Sequence, residues 1–397
     1  MGALILLASC AQAPQNAPAP PACPAAPVAQ ACPVCPVCPP LKPPPETARY
    51  IEAPFEALPG WISASLGESL RAFVASCPRP NSLARACELA RTVPAGDETA
   101  ARKFFEEVFQ PYALVSSDGP DSGLITGYYE PVVEGSRERS AAFPYPIFGV
   151  PDDLIVVDLA SINPDVRHMR LRGRLEGRRL VPYYSRAEIE SRNGAFPAPV
   201  IAFTSDPVEL FFLQIQGSGQ VRFQSGERIR VAYADQNGHP FRSLGRYLVA
   251  RGELPLEQAS MQGIKAWALA NPGKLQEALN QNPSYVFFRE LPAPASPLQG
   301  PPGALGVALT PEYSIAVDRR FVPLGAPVYL ATTYPLSDSP LERLMTAQDT
   351  GGAIRGPVRA DFFWGTGPDA GAQAGRMRQQ GKMWLLWPRG EALPRAD

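Results

Sequence analysis

Two aspartates on either side of a glycine-rich loop constrain the fold of this chain more than any other feature. Asp349 and Asp361 each lie at the edge of an apolar segment, and Gly351 and Gly352 follow the first of them. Glycines adopt backbone angles that are closed to other residues, so the segment 357–363 can return as a strand beside the first segment. The two carboxylates can therefore meet in a cleft. The same residues also fit two acids that only cap loops, as most aspartates near glycine do.

A third aspartate ends a predicted strand upstream of this loop. The apolar run Ile315-Ala316-Val317 leads into Asp318, and a turn and a second strand follow as far as Leu330. The runs AVDRRFVPLGAPVYL, AQDTGGAIRG and ADFFWG closely resemble the three-aspartate module of double-psi β-barrel proteins. In that resemblance the three acids are Asp318, Asp349 and Asp361.

Composition excludes several classes of function. At 397 residues and 45% hydrophobic, the chain can form two domains with real cores. A formal net charge of −1 gives no basic excess for binding nucleic acid. His168 and His239 are the only histidines, and no HExxH, GxSxG or Walker A motif occurs. We therefore expect no metal and no cofactor.

The first ten residues, MGALILLASC, form an apolar run that ends in a cysteine. Its last four residues resemble the processing box of bacterial lipoproteins, in which Cys10 would become the lipidated first residue of the mature protein. Several acyl chains on one cysteine suffice for stable membrane anchoring. The run is short and no Lys or Arg precedes it, so an accidental hydrophobic N-terminus is the alternative.

Residues 11–46 predict an extended linker. The segment contains thirteen prolines and almost no large apolar side chain, so it cannot bury enough surface to offset the entropy of ordering. Its cysteines have CxxC spacing, but no second cluster of Cys or His follows, so disulfides in an oxidising compartment fit them better than zinc does. These cysteines are Cys23, Cys32, Cys35 and Cys38.

Two further cysteines lie in the folded part, which begins near Thr47. Cys77 and Cys87 flank a proline-containing turn between two segments of helical character, 64–76 and 82–91. For an exported protein we expect a disulfide between them, with two separately buried thiols as the alternative.

A predicted strand at 124–131 ends on two tyrosines, an acid and a proline. Adjacent residues of a strand point to opposite faces, so only one of Tyr128 and Tyr129 can line a given groove. Tyrosine offers a flat apolar ring and a hydroxyl, which suits stacking on sugars. We expect Tyr128, Tyr129 and Glu130 to bind substrate; an ordinary β-edge with a turn is the alternative.

A short helix is predicted to begin at Asp206, where an acid at the cap is followed by Pro207 in the first turn and by Glu209. The helix stops in a glycine-containing loop whose amide and hydroxyl groups suit hydrogen bonds to sugar hydroxyls or N-acetyl groups, although a plain helix stop has the same pattern. The candidate substrate-binding residues here are Gln214, Gln216, Ser218 and Gly219.

The order of six segments identifies a family resemblance. GYYEP, QIQGSG, YADQNGHPFRSLGRYL, MQGIKAW, NPSYVFF and the three-aspartate run resemble the membrane-bound lytic murein transglycosylase A family over roughly residues 60–388. The resemblance implies a mainly β fold with helices (α+β), in which residues 47–127 and 241–390 form a six-stranded double-psi β-barrel. A smaller β-rich substrate-binding domain, residues 128–240, interrupts the barrel, and a groove between the two holds a peptidoglycan glycan strand.

The resemblance also implies a reaction. The family cleaves the β-1,4 bond between N-acetylmuramic acid and N-acetylglucosamine without water and leaves a 1,6-anhydro ring. Asp361 is the candidate for the catalytic carboxyl, which acts as acid and then as base and needs a raised pKa. Asp349 and Asp318 would support it by raising that pKa, by orienting Asp361 or by holding the loop.

The implied setting is a lipid-anchored enzyme at the periplasmic face of the outer membrane of a Gram-negative bacterium, with cell-wall synthesis or division proteins as candidate partners. Two other functions stay open. A hydrolase on the same barrel would use Asp361 as acid and a second acid as base for water. A non-enzymatic lipoprotein scaffold would bind peptidoglycan only, but such a module does not need a proton donor.

Overall fold

The computed structural model describes residues 47–395 except 78–82, 118, 160, 163–170, 193–194, 294–295 and 297–298. The predicted signal at 1–10 with Cys10, the linker at 11–46 with its four cysteines, and His168 lie outside the described residues. Within the described part, no helix combines the length and the apolar character needed to cross a bilayer.

Strands make up most of the regular structure. In chain order they are β1 (Ala48–Glu52), β2 (Phe109–Ser116), β3 (Gly123–Glu130), β4 (Val132–Ser136), β5 (Tyr145–Phe148), β6 (Ile155–Val156), β7 (Arg172–Glu176), β8 (Arg179–Pro182), β9 (Val200–Thr204), β10 (Ser218–Phe223), β11 (Arg228–Gln236), β12 (Val286–Leu291), β13 (Ser314–Val317), β14 (Pro327–Thr333), β15 (Pro340–Asp349), β16 (Ala360–Thr366) and β17 (Arg378–Pro388). The helices are α1 (Gly67–Ser76), α2 (Ala84–Ala90), α3 (Glu98–Val108), α4 (Arg186–Glu190), α5 (Pro207–Gln216), α6 (Leu244–Ala250), α7 (Met261–Ala270), α8 (Pro272–Asn280) and α9 (Pro368–Ala374). The chain is therefore α+β and mainly β.

The first sheet has eight strands in the order β1-β2-β17-β14-β15-β13-β16-β3. The long strand β17 pairs with β2 and β14 through residues 382–388, and its first four residues pair with β3. The last strand in this order, β3, therefore also pairs with β17, and the strand order returns from β3 to β17. The largest hydrophobic cluster packs against this sheet and includes Phe73, Phe105, Phe109 and Trp384.

The strand after the glycine-rich loop has different neighbours from those that we predict. We expect 357–363 to return beside the segment that ends at Asp349, but β16 pairs with β13 and β3. The strand that carries Asp349, β15, pairs with β13 on its other side. The pairing prediction is wrong because β13, which lies upstream in the chain, inserts between the two strands.

The second sheet has six strands in the order β12-β11-β10-β4-β9-β5. It contains β12 (Val286–Leu291), which pairs antiparallel with β11 and lies beyond residue 240, where we expect the inserted domain to end. A third sheet, β6-β7-β8, has three short strands. Helices α6, α7 and α8 pack against α5 around a separate apolar cluster that includes Phe211, Leu248 and Trp267.

Helix α5 forms where the local sequence predicts it. The Asp206 side chain accepts hydrogen bonds from the backbone N–H groups of Val208 and Glu209, and Pro207 occupies the first turn. The helix ends at Gly217, whose φ of 76° lies in the left-handed region that favours glycine. This stop directs the chain into β10 and places residues 214–218 at the wall of a cleft.

Cys77 and Cys87 form a disulfide that joins the end of α1 to α2, with 5.5 Å between their Cα atoms. Both cysteines are buried in the main hydrophobic cluster. The alternative of two separate thiols does not describe this structure.

Candidate active site

Four residues occupy partner positions on four neighbouring strands of the first sheet. Asp361 on β16 is the backbone partner of Thr126 on β3 and of Ala316 on β13, and Ala316 is in turn the partner of Asp349 on β15. Partner residues on regular strands point to the same face, which places Thr126, Asp361 and Ala316 together. The register of β15 shifts by one residue just before Asp349, and this shift brings the Asp349 side chain to the same cleft as Ala316 and Asp361. Two strand spacings separate the Cα atoms of the two aspartates by about 10 Å. The small side chain of Ala316 leaves the space between them open.

This face forms one wall of a cleft of about 690 Å³. The opposite wall comes from the loop after α5, from β11 and β12, and from the loop at 302–306. The cleft is lined by Tyr128, Asp349, Asp361, Gly351, Gln216, Ser218, Tyr233, Asn282, Arg289 and Ala304, among others.

Asp361 is the acid whose surroundings best suit proton donation. Its Oδ1 accepts a hydrogen bond of 2.6 Å from the hydroxyl of Thr126. Burial raises the pKa of Asp361, whereas this hydrogen bond and the positive charge of Arg359 act to lower it, and burial prevails. The carboxyl is therefore protonated over a wider range of pH than an exposed aspartate.

Asp349 is held by three donors. The backbone N–H groups of Ala304 and Thr350 both donate to its Oδ1 at 2.8 Å, and the Tyr128 hydroxyl donates to its Oδ2 at 3.0 Å. Burial raises the pKa of Asp349 to about 6 against these hydrogen bonds, and the charge of Asp361 adds to the rise. At neutral pH this carboxylate is mostly ionised, and three of its roughly four lone-pair sites already accept hydrogen bonds.

Asp318 supports the loop and lies away from the cleft. Its side chain is buried, pairs with Arg320 at 2.6 Å and accepts a hydrogen bond of 3.0 Å from the backbone N–H of Gly356. Burial acts to raise the pKa of Asp318, but these hydrogen bonds hold it below its ordinary value. Of the three roles that we consider for this acid, the contacts fit holding the glycine-rich loop. In the described part of the chain, no three His, Cys, Asp or Glu side chains are grouped closely enough to bind a metal ion.

The two tyrosines of β3 face different clefts. Tyr128 lines the cleft of the two aspartates, and its ring packs against Phe363 with 5.2 Å between the ring centroids. Tyr129 points to the other side, where its hydroxyl contacts the Met261 Sδ at 3.2 Å. It lines a second cleft of about 900 Å³ that contains none of the three aspartates. Only Tyr128 is therefore placed to contact a ligand at Asp361.

Glu130 does not lie in the cleft, contrary to our expectation. Its side chain is fully buried and pairs with Arg230, with 2.5 Å between Oε1 and Nε. Gln220 and Thr366 donate further hydrogen bonds to it at 3.0 and 2.8 Å. Because Glu130 and Thr366 belong to the first sheet and Arg230 and Gln220 to the second, this group joins the two sheets and is unavailable to substrate.

Two of the four candidates at the end of α5 and the start of β10 are also buried. Gln214 lines the cleft but is only 4% exposed, and its Oε1 accepts a hydrogen bond of 2.5 Å from Nη2 of Arg186. A Cβ on Gly219 would lie 2.3 Å from the Leu213 side chain, so this glycine serves close packing. Gln216 and Ser218 do line the cleft, and the amide oxygen of Gln216 accepts a hydrogen bond from the Tyr129 N–H at 3.1 Å.

Sequence reasoning missed three residues of the site. Thr126 donates a hydrogen bond to Asp361, and Arg359 donates one to Thr126 and acts on the pKa of Asp361 through its charge. Arg186 lies at the opposite wall of the cleft. Arg186 is 2% exposed, pairs with Glu190 at 2.9 Å and donates to the backbone carbonyls of residues 282 and 284. The alternation of strand faces could have indicated Arg359, since it lies two residues before Asp361.

Comparisons with known proteins agree with this architecture. The chain matches two protein-family models, the MltA specific insert domain at residues 124–289 and the 3D domain at residues 313–387. Membrane-bound lytic murein transglycosylase A of Escherichia coli strain K12 is 34% identical over 301 residues, which cover 73% of this chain and 72% of that protein.

Solved structures give the same result. MltA from Neisseria gonorrhoeae, in its monoclinic form, superposes with a TM-score of 0.76 at 40% identity and covers 88% of this chain and 95% of that one. Escherichia coli MltA with bound chitohexaose has a TM-score of 0.62 at 27% identity, with coverage of 85% and 94%. The chain belongs to the membrane-bound lytic murein transglycosylase A family.

Proposed function

We propose that this protein is a lytic transglycosylase, a carbon–oxygen lyase that cleaves the β-1,4 bond between N-acetylmuramic acid and N-acetylglucosamine in peptidoglycan. The observation that carries the proposal is the position of Asp361, an acid with a raised pKa in a cleft between two sheets, beside a second acid, Asp349, that is held by three donors. The relatives that bear this name, and the oligosaccharide bound to the Escherichia coli relative, support a glycan strand as the occupant of the cleft.

The reaction needs one carboxyl group in two successive roles. Neutral Asp361 gives its proton to the glycosidic oxygen, and the bond from that oxygen to C1 of the muramic acid breaks. The Asp361 carboxylate then takes the proton of the muramic acid 6-hydroxyl while O6 bonds to C1. The products are a free 4-hydroxyl and a 1,6-anhydro ring, no water is consumed, and Asp361 is neutral again.

The contacts of Asp349 favour this reaction over hydrolysis. A hydrolase needs a second carboxylate with a free oxygen that can activate water. Both oxygens of Asp349 already accept hydrogen bonds, two of them from backbone N–H groups. A scaffold that only binds peptidoglycan would have no use for a partly buried acid with a raised pKa.

We also propose that the six strands β17, β14, β15, β13, β16 and β3 form a double-psi β-barrel. The return of the strand order from β3 to β17 supports this. The pairing of β12 with β11 supports an inserted domain that extends to about residue 291, further than the 128–240 of the sequence expectation.

For the cellular setting we propose a lipid anchor on Cys10 at the periplasmic face of the outer membrane, with residues 11–46 as the spacer that lets the enzyme reach the cell wall. The disulfide between Cys77 and Cys87 supports an oxidising compartment. The description of the relatives as membrane-bound supports the anchor.

The test is digestion of purified peptidoglycan sacculi followed by mass spectrometry of the released muropeptides. We expect products with the mass of 1,6-anhydromuropeptides, and we expect Asp361→Asn to abolish them, since the amide keeps the shape but cannot give the proton. Asp369→Asn, an exposed aspartate on α9, is the matched control and should act as wild type. Products heavier by one water would indicate a hydrolase, and binding without release would indicate a scaffold.

A further inference from the structure

Two side chains behind Asp361 form a short chain of hydrogen bonds. Nη2 of Arg359 lies 2.9 Å from Oγ1 of Thr126, and Oγ1 of Thr126 lies 2.6 Å from Oδ1 of Asp361. Arg359 is held in turn by the backbone carbonyls of Leu124 and Ala360, to which its Nη1 donates. The guanidinium is thus fixed against β3 and the start of β16.

The direction of this chain follows from the chemistry of the groups. A guanidinium has only donors, so Oγ1 of Thr126 must be the acceptor in its bond with Arg359. A hydroxyl has a single proton, and here that proton is left for Asp361. The hydrogen bond from Arg359 therefore favours the orientation of the Thr126 hydroxyl in which its hydrogen points to Oδ1 of Asp361.

This orientation of the Thr126 hydroxyl makes the two carboxyl oxygens of Asp361 unequal as positions for the acid proton. The oxygen that accepts this short hydrogen bond is a poor place for the acid proton, because in a neutral carboxyl group the carbonyl oxygen is a better acceptor than the hydroxyl oxygen. We propose that Thr126, oriented by Arg359, is a positioning residue that keeps the acid proton of Asp361 on Oδ2, from which it is delivered to the glycosidic oxygen. The inference rests on the function proposed above and extends it to residues that do not touch the substrate.

The same contact also serves the transition state. As the proton leaves, negative charge grows on Asp361, and a hydrogen bond to an ionised acceptor is stronger than one to a neutral acceptor. The contact is therefore stronger in the transition state than in the ground state, which is the condition for raising kcat.

Several other titratable and charged groups around Asp361 affect the pH dependence of its protonation. Asp349 lies across Ala316, and the Tyr128 hydroxyl is committed to Asp349. Arg378 on β17 is the backbone partner of Thr126 and has an exposed side chain. Across the cleft, the insert contributes Arg186, which is paired with Glu190, and Arg289, which is exposed.

The decisive variants change Thr126 alone. Thr126→Val removes the hydroxyl at nearly constant shape, and Thr126→Ser keeps it. With the full chain in detergent and sacculi as substrate, we expect Thr126→Val to lower kcat about tenfold, because a hydrogen bond to a charged group is lost, with little change in KM. The alkaline limb of its kcat–pH profile should move to higher pH, since the lost donor favoured the ionised form. Thr126→Ser should stay close to wild type in both respects.

Arg359 is tested through a double-mutant cycle. Arg359→Gln should lower kcat in the wild-type background and have a clearly smaller effect in the Thr126→Val background, because part of its role passes through that hydroxyl. If Arg359→Gln lowers kcat by the same factor in the wild-type and Thr126→Val backgrounds, Arg359 does not act through the Thr126 hydroxyl and this part of the inference is overturned. An unchanged pH profile in Thr126→Val, or a Thr126→Ser variant that is equally impaired, would overturn the role of the hydroxyl.

A measurement without turnover separates this inference from the proposed function. The carboxyl ¹³C resonance that disappears in Asp361→Asn reports the titration of Asp361, and its midpoint should move to higher pH in Thr126→Val. If Thr126→Val does not fold, Thr126→Ala carries the same expectation. A wild-type protein that releases no anhydromuropeptides would refute the proposed function, whereas an unmoved midpoint would refute only the positioning role.

Discussion

The buried pair of Glu130 and Arg230 offers a sharp test of how the two sheets are held together. The Glu130 side chain is fully buried and that of Arg230 is 4% exposed, and two hydrogen bonds of 2.5 and 3.0 Å join the carboxylate to the guanidinium. Arg230 also donates to the backbone carbonyls of Gln299 and Gly300 at 2.8 and 3.0 Å. Glu130→Gln keeps the shape of the side chain and removes its charge.

The expected cost is large because the substitution leaves Arg230 as a buried cation without a counter-charge. Two carbonyls still accept its hydrogen bonds, but their dipoles replace a full negative charge. Breaking a buried ion pair at one partner costs about 3–5 kcal/mol, a large part of the stability of an ordinary domain. Glu130→Gln combined with Arg230→Met should recover part of this loss, because no buried charge then remains.

The assay is urea unfolding of the fragment 47–397, followed by circular dichroism. The neighbouring pair of Glu134 and Arg222 provides the matched control, since it joins β4 to β10 but both side chains are about half exposed, at 48% and 49%. We expect Glu134→Gln to leave the urea midpoint close to wild type, because solvent screens such pairs. If Glu130→Gln and Glu134→Gln shift the midpoint equally, burial of the first pair has no energetic consequence and the reasoning is refuted.

Two further predictions concern pH and the disulfide. Burial is the main cause that raises the pKa of Asp349 to about 6, so this group stabilises the fold fully below its ordinary pKa of 3.8 and the contribution is lost as the pH rises through 6. Asp349→Asn should therefore reduce the change of the urea midpoint with pH between pH 4 and 7. A variant whose urea midpoint changes with pH as steeply as that of the wild type would contradict this. Replacing Cys77 by serine removes a disulfide that spans ten positions and should cost roughly 2–3 kcal/mol of unfolding free energy, which a reductant should not increase further.

Local patterns in the sequence predicted the elements that carry the site. The cap at Asp206 and the glycine stop at Gly217 predicted the beginning and the end of α5, because both signals act within one helical turn. The run ADFFWG is aromatic and apolar apart from one acid, which fits the strand β16, where Asp361 faces the cleft and Phe362 is fully buried.

Long-range pairing could not be predicted in the same way. Glu130 follows two tyrosines and precedes a proline, which resembles a surface edge, and its partner Arg230 lies 100 residues later in the chain. Acidic side chains are almost never fully buried unless they are paired, and nothing near Glu130 in the sequence identifies the pair. The pairing of β12 with β11 was missed for the same reason, since about 50 residues of helical sequence separate the two strands.

The register of the first sheet decides whether the site exists at all. Thr126, Asp361 and Ala316 are partners on three adjacent strands, and the residues next to them, Ile125 and Phe362, are fully buried on the opposite face. A slip of one residue in β16 would turn Asp361 towards the core and Phe362 into the cleft, at the cost of exposing a large aromatic side chain and burying a carboxyl without its donor. The same apolar packing that stabilises the sheet therefore holds the acid on the cleft face and against Thr126. The proposed catalytic acid is thus positioned by apolar residues, such as Ile125 and Phe362, that are buried and do not line the cleft.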